Sequence, residues 1–139
     1  MPTGVLGTAA RQDPRQVSNT LKKTVNFNDA ATGVPVPFAN YLPQGAFILN
    51  VWIEVVVAFN GTTPTLTVGT NAASYNNIVA SGDATWTGTV IPAITQGRGL
   101  GRSLTAAGDV LPYAVWNATG SPTTGQAIFV IEFEGGWQS

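Results

Sequence analysis

From Phe47 to Phe59 every second residue is apolar: Phe47, Leu49, Val51, Ile53, Val55, Val57 and Phe59. Side chains on a strand alternate between faces with a period of two, whereas a helix would scatter these seven around its circumference. The run is therefore a long strand with one face in a core. Its other face reads Ile48, Asn50, Trp52, Glu54, Val56 and Ala58, which is polar in the middle except for a tryptophan.

Shorter stretches repeat the pattern. Leu21, Val25 and Phe27 alternate with Lys22, Thr24 and Asn26, with Lys23 the exception on the apolar side. Leu66 and Val68 alternate with Thr65 and Thr67, and Ala127, Phe129, Ile131 and Phe133 alternate with Ile128, Val130, Glu132 and Glu134. Val110 to Asn117 reads as a further strand with Leu111, Tyr113 and Val115 facing in and Val110, Ala114 and Trp116 facing out, and Pro112 confines it to an edge or bulge. Brief strands are expected at Ile78–Ala80, at Thr85–Thr87 with Val90 and Ile91, and at Leu104. Asp29 to Gln44, with Pro35, Pro37 and Pro43, reads as a connection.

Seven or eight short strands at this spacing predict an all-β chain folded as an antiparallel β-sandwich. The long irregular connections favour a jelly roll over an immunoglobulin-like arrangement. Residues 1–19 lack apolar periodicity and read as an extended N-terminal arm, with 20–139 as a single domain. The expected core is Phe47, Leu49, Val51, Ile53, Val55, Val57, Leu111, Tyr113, Val115, Ala127, Phe129, Ile131 and Phe133.

The 139 residues include no Cys and no His. That excludes thiol and imidazole catalysis, Ser-His-Asp triads, Cys/His zinc sites and disulfide staples. Charge is scarce and divided: residues 1–23 hold four basic residues, Arg11, Arg15, Lys22 and Lys23, against one acid, and the remainder holds two against six. A basic arm on an acidic body is either a solvated tail or a device for docking onto an acidic partner. The other two basic residues, Arg98 and Arg102, bracket a glycine-rich stretch that lacks the Lys-Ser/Thr of a phosphate loop and reads as a flexible tip. Both are further candidates for contact with a partner. The longest apolar stretch falls short of the roughly 20 residues that span a bilayer, and no apolar run of signal-peptide length opens the chain. These features predict no membrane association and synthesis without export.

Candidate chemistry is thin. Glu132 and Glu134 share a face at roughly 6 to 7 Å, near glycosidase spacing, with Glu54 a third carboxylate if its strand pairs there; two acids on the outward face of a final strand are far more often a solvated rim. Asp83 and Asp109 sit alone in glycine turns, too few oxygens for calcium. No cofactor or metal is expected, nor is catalysis. Asn60-Gly61-Thr62 and Asn117-Ala118-Thr119 match the glycosylation triplet, without an export signal to make it relevant. Trp52, Trp86, Trp116 and Trp137 suit sugar stacking, a subunit interface or a core. Trp52 and Trp116 are expected to face away from the core, at a contact between copies.

The strand Ala46 to Val57, then Leu66-Thr67-Val68-Gly69-Thr70-Asn71, Tyr75-Asn76-Asn77-Ile78-Val79, Ser81-Gly82-Asp83, Tyr113, Gly120-Ser121-Pro122-Thr123-Thr124-Gly125-Gln126-Ala127 and Val130-Ile131-Glu132-Phe133 together resemble small virion proteins of tailed bacteriophages. The resemblance covers Ala46 to Phe133 and implies a head decoration or cement protein on the capsid exterior, made in the host cytoplasm. It implies a homotrimer that braces the major capsid protein, with no nucleic acid or membrane as partner. The rival reading is a carbohydrate-binding module on a phage tail or fibre, recognising a host sugar through exposed tryptophans. An enzyme acting through Glu54, Glu132 and Glu134 trails both.

Overall fold

The long apolar run sits inside a four-stranded antiparallel sheet. In the computed structural model, which describes residues 18–81, 90–92 and 101–135, seven strands form: β1 (Ser18–Asn26), β2 (Val36–Pro37), β3 (Phe47–Val57), β4 (Thr62–Gly69), β5 (Val90–Pro92), β6 (Tyr113–Thr119) and β7 (Gln126–Glu134). One sheet has the order β1-β7-β3-β5 and the other β2-β6-β4. From β1 to β4 each strand lies in the sheet opposite its predecessor, and β5, β6 and β7 alternate likewise. Val79 bridges Val68 at the free edge of β4 and so extends the smaller sheet. This wrapping order is that of a jelly roll, since an immunoglobulin-like sandwich places successive strands side by side in one sheet.

The inner faces meet in one core. Val51, Ile53, Val55, Ala127, Phe129, Ile131 and Phe133 from the larger sheet pack with Leu66, Val68, Ala114 and Trp116 from the smaller one, and Phe38, Leu42, Phe59, Ile78 and Val79 close the ends. Burying each large apolar side chain contributes about 1.5–3 kcal/mol.

Two irregularities in β3 correct the expected core. The pairing with β7 runs Phe47 to Glu134 and Ile48 to Phe133, then resumes at Asn50 to Glu132, so Leu49 is an extra residue. A bulge shifts the alternation by one. Ile48 therefore enters the core at 1% exposure, while Phe47, expected inside, is 49% exposed. A second shift between Val55 and Val57 turns Val57 outward, 45% exposed, and Phe59 returns to the core beyond the strand. Leu49, Leu111 and Tyr113 are only partly buried.

β6 faces the other way from expectation. Leu66 pairs with Trp116 and Val68 with Ala114, and cross-strand partners share a face, so Ala114, Trp116 and Ala118 point inward. Trp116 is 3% exposed and does not face outward to a contact between copies. Val115, on the opposite face of β6, is nevertheless buried at 5%. On that face Tyr113 packs against Tyr75, with ring centroids 4.8 Å apart and the planes tilted by 53°. The loop carrying Tyr75 is held by Asn71, whose Oδ1 accepts the N–H groups of Asn76 at 2.9 Å and Asn77 at 3.1 Å. It folds so closely over Gly69 that a Cβ there would lie 2.4 Å from the Asn76 nitrogen.

The proline-rich connection is more ordered than its composition predicts. Gly33 donates to the Trp116 carbonyl at 2.8 Å, Phe38 to that of Pro112 at 3.0 Å, and Leu42 pairs with Val110. The segment runs as an edge along β6, where a proline's missing N–H costs nothing if it points away from the sheet. The strands expected at Ile78–Ala80 and Leu104 are a single bridge and part of a turn.

Candidate functional site

The outer face of the larger sheet is set by register. Lys22 pairs with Val130 and Val130 with Trp52; Thr24 with Ile128 and Ile128 with Glu54; Thr20 with Glu132 and Glu132 with Asn50. Each row lies across the strands on one face, because directly paired residues share a side. Beyond these, Glu134 lies beside Phe47, and Gln126 beside Val57. The face thus has a partly buried apolar centre, Trp52 with Val130 and Ile128, surrounded by Lys22, Asn50, Glu54 and Glu132. Phe47 and Val57 mark its two ends.

Trp52 is therefore outward, as expected, and Lys22 is exposed near it. Lys23 shares a row with the fully buried Phe129, which puts it on the core-side face of β1, partly buried. Arg102 is exposed in the turn after Gly101, which pairs with Ile48. Arg11, Arg15, Arg98, Trp86 and Trp137 lie outside the described residues, as does most of the arm.

The three carboxylates do not converge. Glu132 and Glu134 are neighbours along β7, but Glu54 pairs with Ile128, four residues before Glu132 on β7, which places it roughly 14 Å from Glu132. Asp109 accepts the Gln44 N–H at 2.7 Å, and Asp29 accepts both the backbone and side-chain N–H of Asn26 at 2.8 and 3.0 Å. Asp29 thus closes a turn and Asp109 ties its own turn to the one at Gln44, while Asp83, the other acid in a glycine turn, lies outside the described residues. Among the described residues no group of three or more Asp or Glu is placed to hold a metal. Two shallow clefts, of about 320 and 360 Å³, are lined by neutral side chains such as Asn26, Gln126 and Thr124 in the first and Thr32 and Asn117 in the second.

Sequence reasoning saw Asn50 only as a polar interruption and Glu132 only as half of a carboxylate pair. The register across β3 and β7, displaced by the Leu49 bulge, is what brings both beside Trp52. In the sequence Asn60 opens a glycosylation triplet. In the structure its Oδ1 accepts the N–H groups of Thr123 at 2.8 Å and Thr124 at 3.2 Å, and its Nδ2 donates to Thr123 Oγ1 at 2.9 Å. It is the pin joining two loops.

No model of a known protein family matches the chain, and no curated protein matches it. Among solved structures, a chain of the Cyanophage Pam1 capsid asymmetric unit is similar, with 24% identity, a TM-score of 0.62 and 84% of each chain covered. At that identity the likeness is one of fold.

Proposed function

We propose that the chain is a structural component of a tailed-phage virion, a decoration or cement protein seated on the capsid exterior, where as a homotrimer it braces the major capsid protein. The observation that carries this reading is the fold likeness to a chain of a phage capsid assembly, extending over 84% of both chains. The sequence resemblance to small virion proteins points the same way. Many symmetric copies bind through complementarity and avidity, for which a rigid β-body with little surface charge suffices. The basic residues Arg11, Arg15 and Lys22, with Arg98 and Arg102, are the anchors this reading assigns to capsid carboxylates; Lys23, on the core-side face of β1, is not among them.

The second reading, a carbohydrate-binding module on a tail or fibre, is favoured by the outward Trp52. Copy number in purified particles separates the two. Hundreds of copies, measured by quantitative mass spectrometry against the major capsid protein, support the head, and a few support the tail. Absence from particles overturns both.

A further inference from the structure

We propose that the outer face of the four-stranded sheet carries a binding platform for a neutral saccharide, centred on Trp52. This deepens the second reading above and rests on it for the class of ligand alone. It holds on a tail, and on a head where attachment runs through Arg11, Arg15, Arg98 and Arg102 and leaves Lys22 free.

Asn50 and Glu54 are the nearest same-face neighbours of Trp52 along β3, roughly 7 Å away, and Glu132 lies diagonally across on β7, about 7–8 Å away. Lys22 ends the same row, beyond Val130. Among the described residues, the side chains of Asn50, Glu54, Glu132 and Lys22 have no hydrogen-bond or ion-pair partner. An apolar plate is therefore bordered along β3 and toward β7 and β1 by unengaged acceptors and donors, an open ring whose remaining side, toward β5, has Pro92 paired with Trp52 and Val90 paired with Glu54.

That ring decides what fits. A protein surface laid over Trp52 would desolvate an amide, two carboxylates and an ammonium at the centre of the contact, where interfaces are depleted of charge and each uncompensated ion costs several kcal/mol. A pyranose stacks its C–H face on the indole and offers outward hydroxyls that donate to carboxylates and accept from the amide and the ammonium. With Glu134 included, three carboxylates face one ammonium, so a sulfated or uronic saccharide is repelled and a neutral one is not.

The test uses the full chain in solution with four probes: cellohexaose, maltohexaose, N-acetylchitohexaose and, as the anionic contrast, a heparin hexasaccharide. Tryptophan fluorescence and calorimetry report binding. At least one neutral probe is expected to saturate while the heparin fragment does not. Trp52→Ala is expected to weaken that binding by about tenfold or more, and Asn50→Ala and Glu132→Gln by smaller factors, with thermal midpoints recorded to show that each variant is folded. Should Trp52→Ala fail to fold, Asn50→Ala and Glu132→Gln decide. The proposal is overturned if no neutral probe binds at millimolar concentration, or if the folded variants bind as tightly as the parent. It is also overturned if Trp52→Ala turns an oligomer into a monomer without affecting saccharide binding, because the face is then a contact between copies. None of these outcomes depends on copy number in the particle, so this proposal and the virion reading fail separately.

Discussion

Phe59 lies against Trp116 with ring centroids 5.2 Å apart and the planes tilted by 30°. On another side of the same phenyl ring is Gly125, where a Cβ would come within 2.2 Å of Phe59 Cδ2. Gly125 also has φ of +153°, a conformation side chains rarely adopt. Gly125→Ala is thus expected to destabilise the fold by about 2–4 kcal/mol through overpacking and backbone strain, read as a lower urea midpoint with unchanged slope.

The two tryptophans on the paired sheets should separate in mutagenesis. Trp116→Ala empties a core site and is expected to cost about 3–5 kcal/mol, whereas Trp52→Ala, on the outer face, should cost about 1 kcal/mol. The Trp116 Nε1–H is buried without a hydrogen-bond partner among the described residues. Trp116→Phe removes that unsatisfied donor and keeps a ring beside Phe59, so its cost should fall well below that of Trp116→Ala. Denaturant unfolding of the three variants checks the order.

Asn60 holds Thr123 and Thr124 through both ends of its amide. Asn60→Ala leaves two exposed backbone N–H groups to water in place of their acceptor and is expected to cost about 0.5–1.5 kcal/mol. Asn60→Asp keeps the acceptor and loses the donor, so it should cost less. Equal losses would show that the side-chain bond to Thr123 Oγ1 carries the pinning.

Lys23 interrupts the core-side face of β1 between Leu21 and Val25. β1 ends its sheet among the described residues, and an inward charge on an edge strand discourages pairing with another chain. Lys23→Val is expected to raise stability by about 0.5–1.5 kcal/mol while promoting self-association, measured by thermal midpoint and by light scattering at rising concentration.

Since β1 begins at Ser18, deleting residues 1–17 leaves every described strand whole. The truncated chain is expected to fold with an unchanged midpoint and to bind particles more weakly, with the difference from the intact chain shrinking as salt screens the lost arginines. Full decoration by the truncated chain at 0.15 M salt, near physiological ionic strength, would place attachment on the sandwich.

The alternation in β1, β3, β4 and β7 was local information, because a strand's two faces are a property of consecutive residues; that alternation, with the proline and glycine punctuation between runs, determined an all-β chain of short antiparallel strands. Which face is buried is not local. β6 offers apolar side chains on both sides, and the sequence reading turned Tyr113 and Val115 inward; only its register against Leu66 and Val68 put Ala114 and Trp116 in the core. β3 looks continuous from Phe47 to Phe59, but an extra residue at Leu49 moved Phe47 to the surface and Ile48 inside. A bulge answers to the partner strand, and the partner, β7, is some seventy residues away in the chain. The ring of polar groups around Trp52 has the same origin: Asn50, Glu132 and Lys22 come from three strands, and pairing across the sheet is what makes them neighbours.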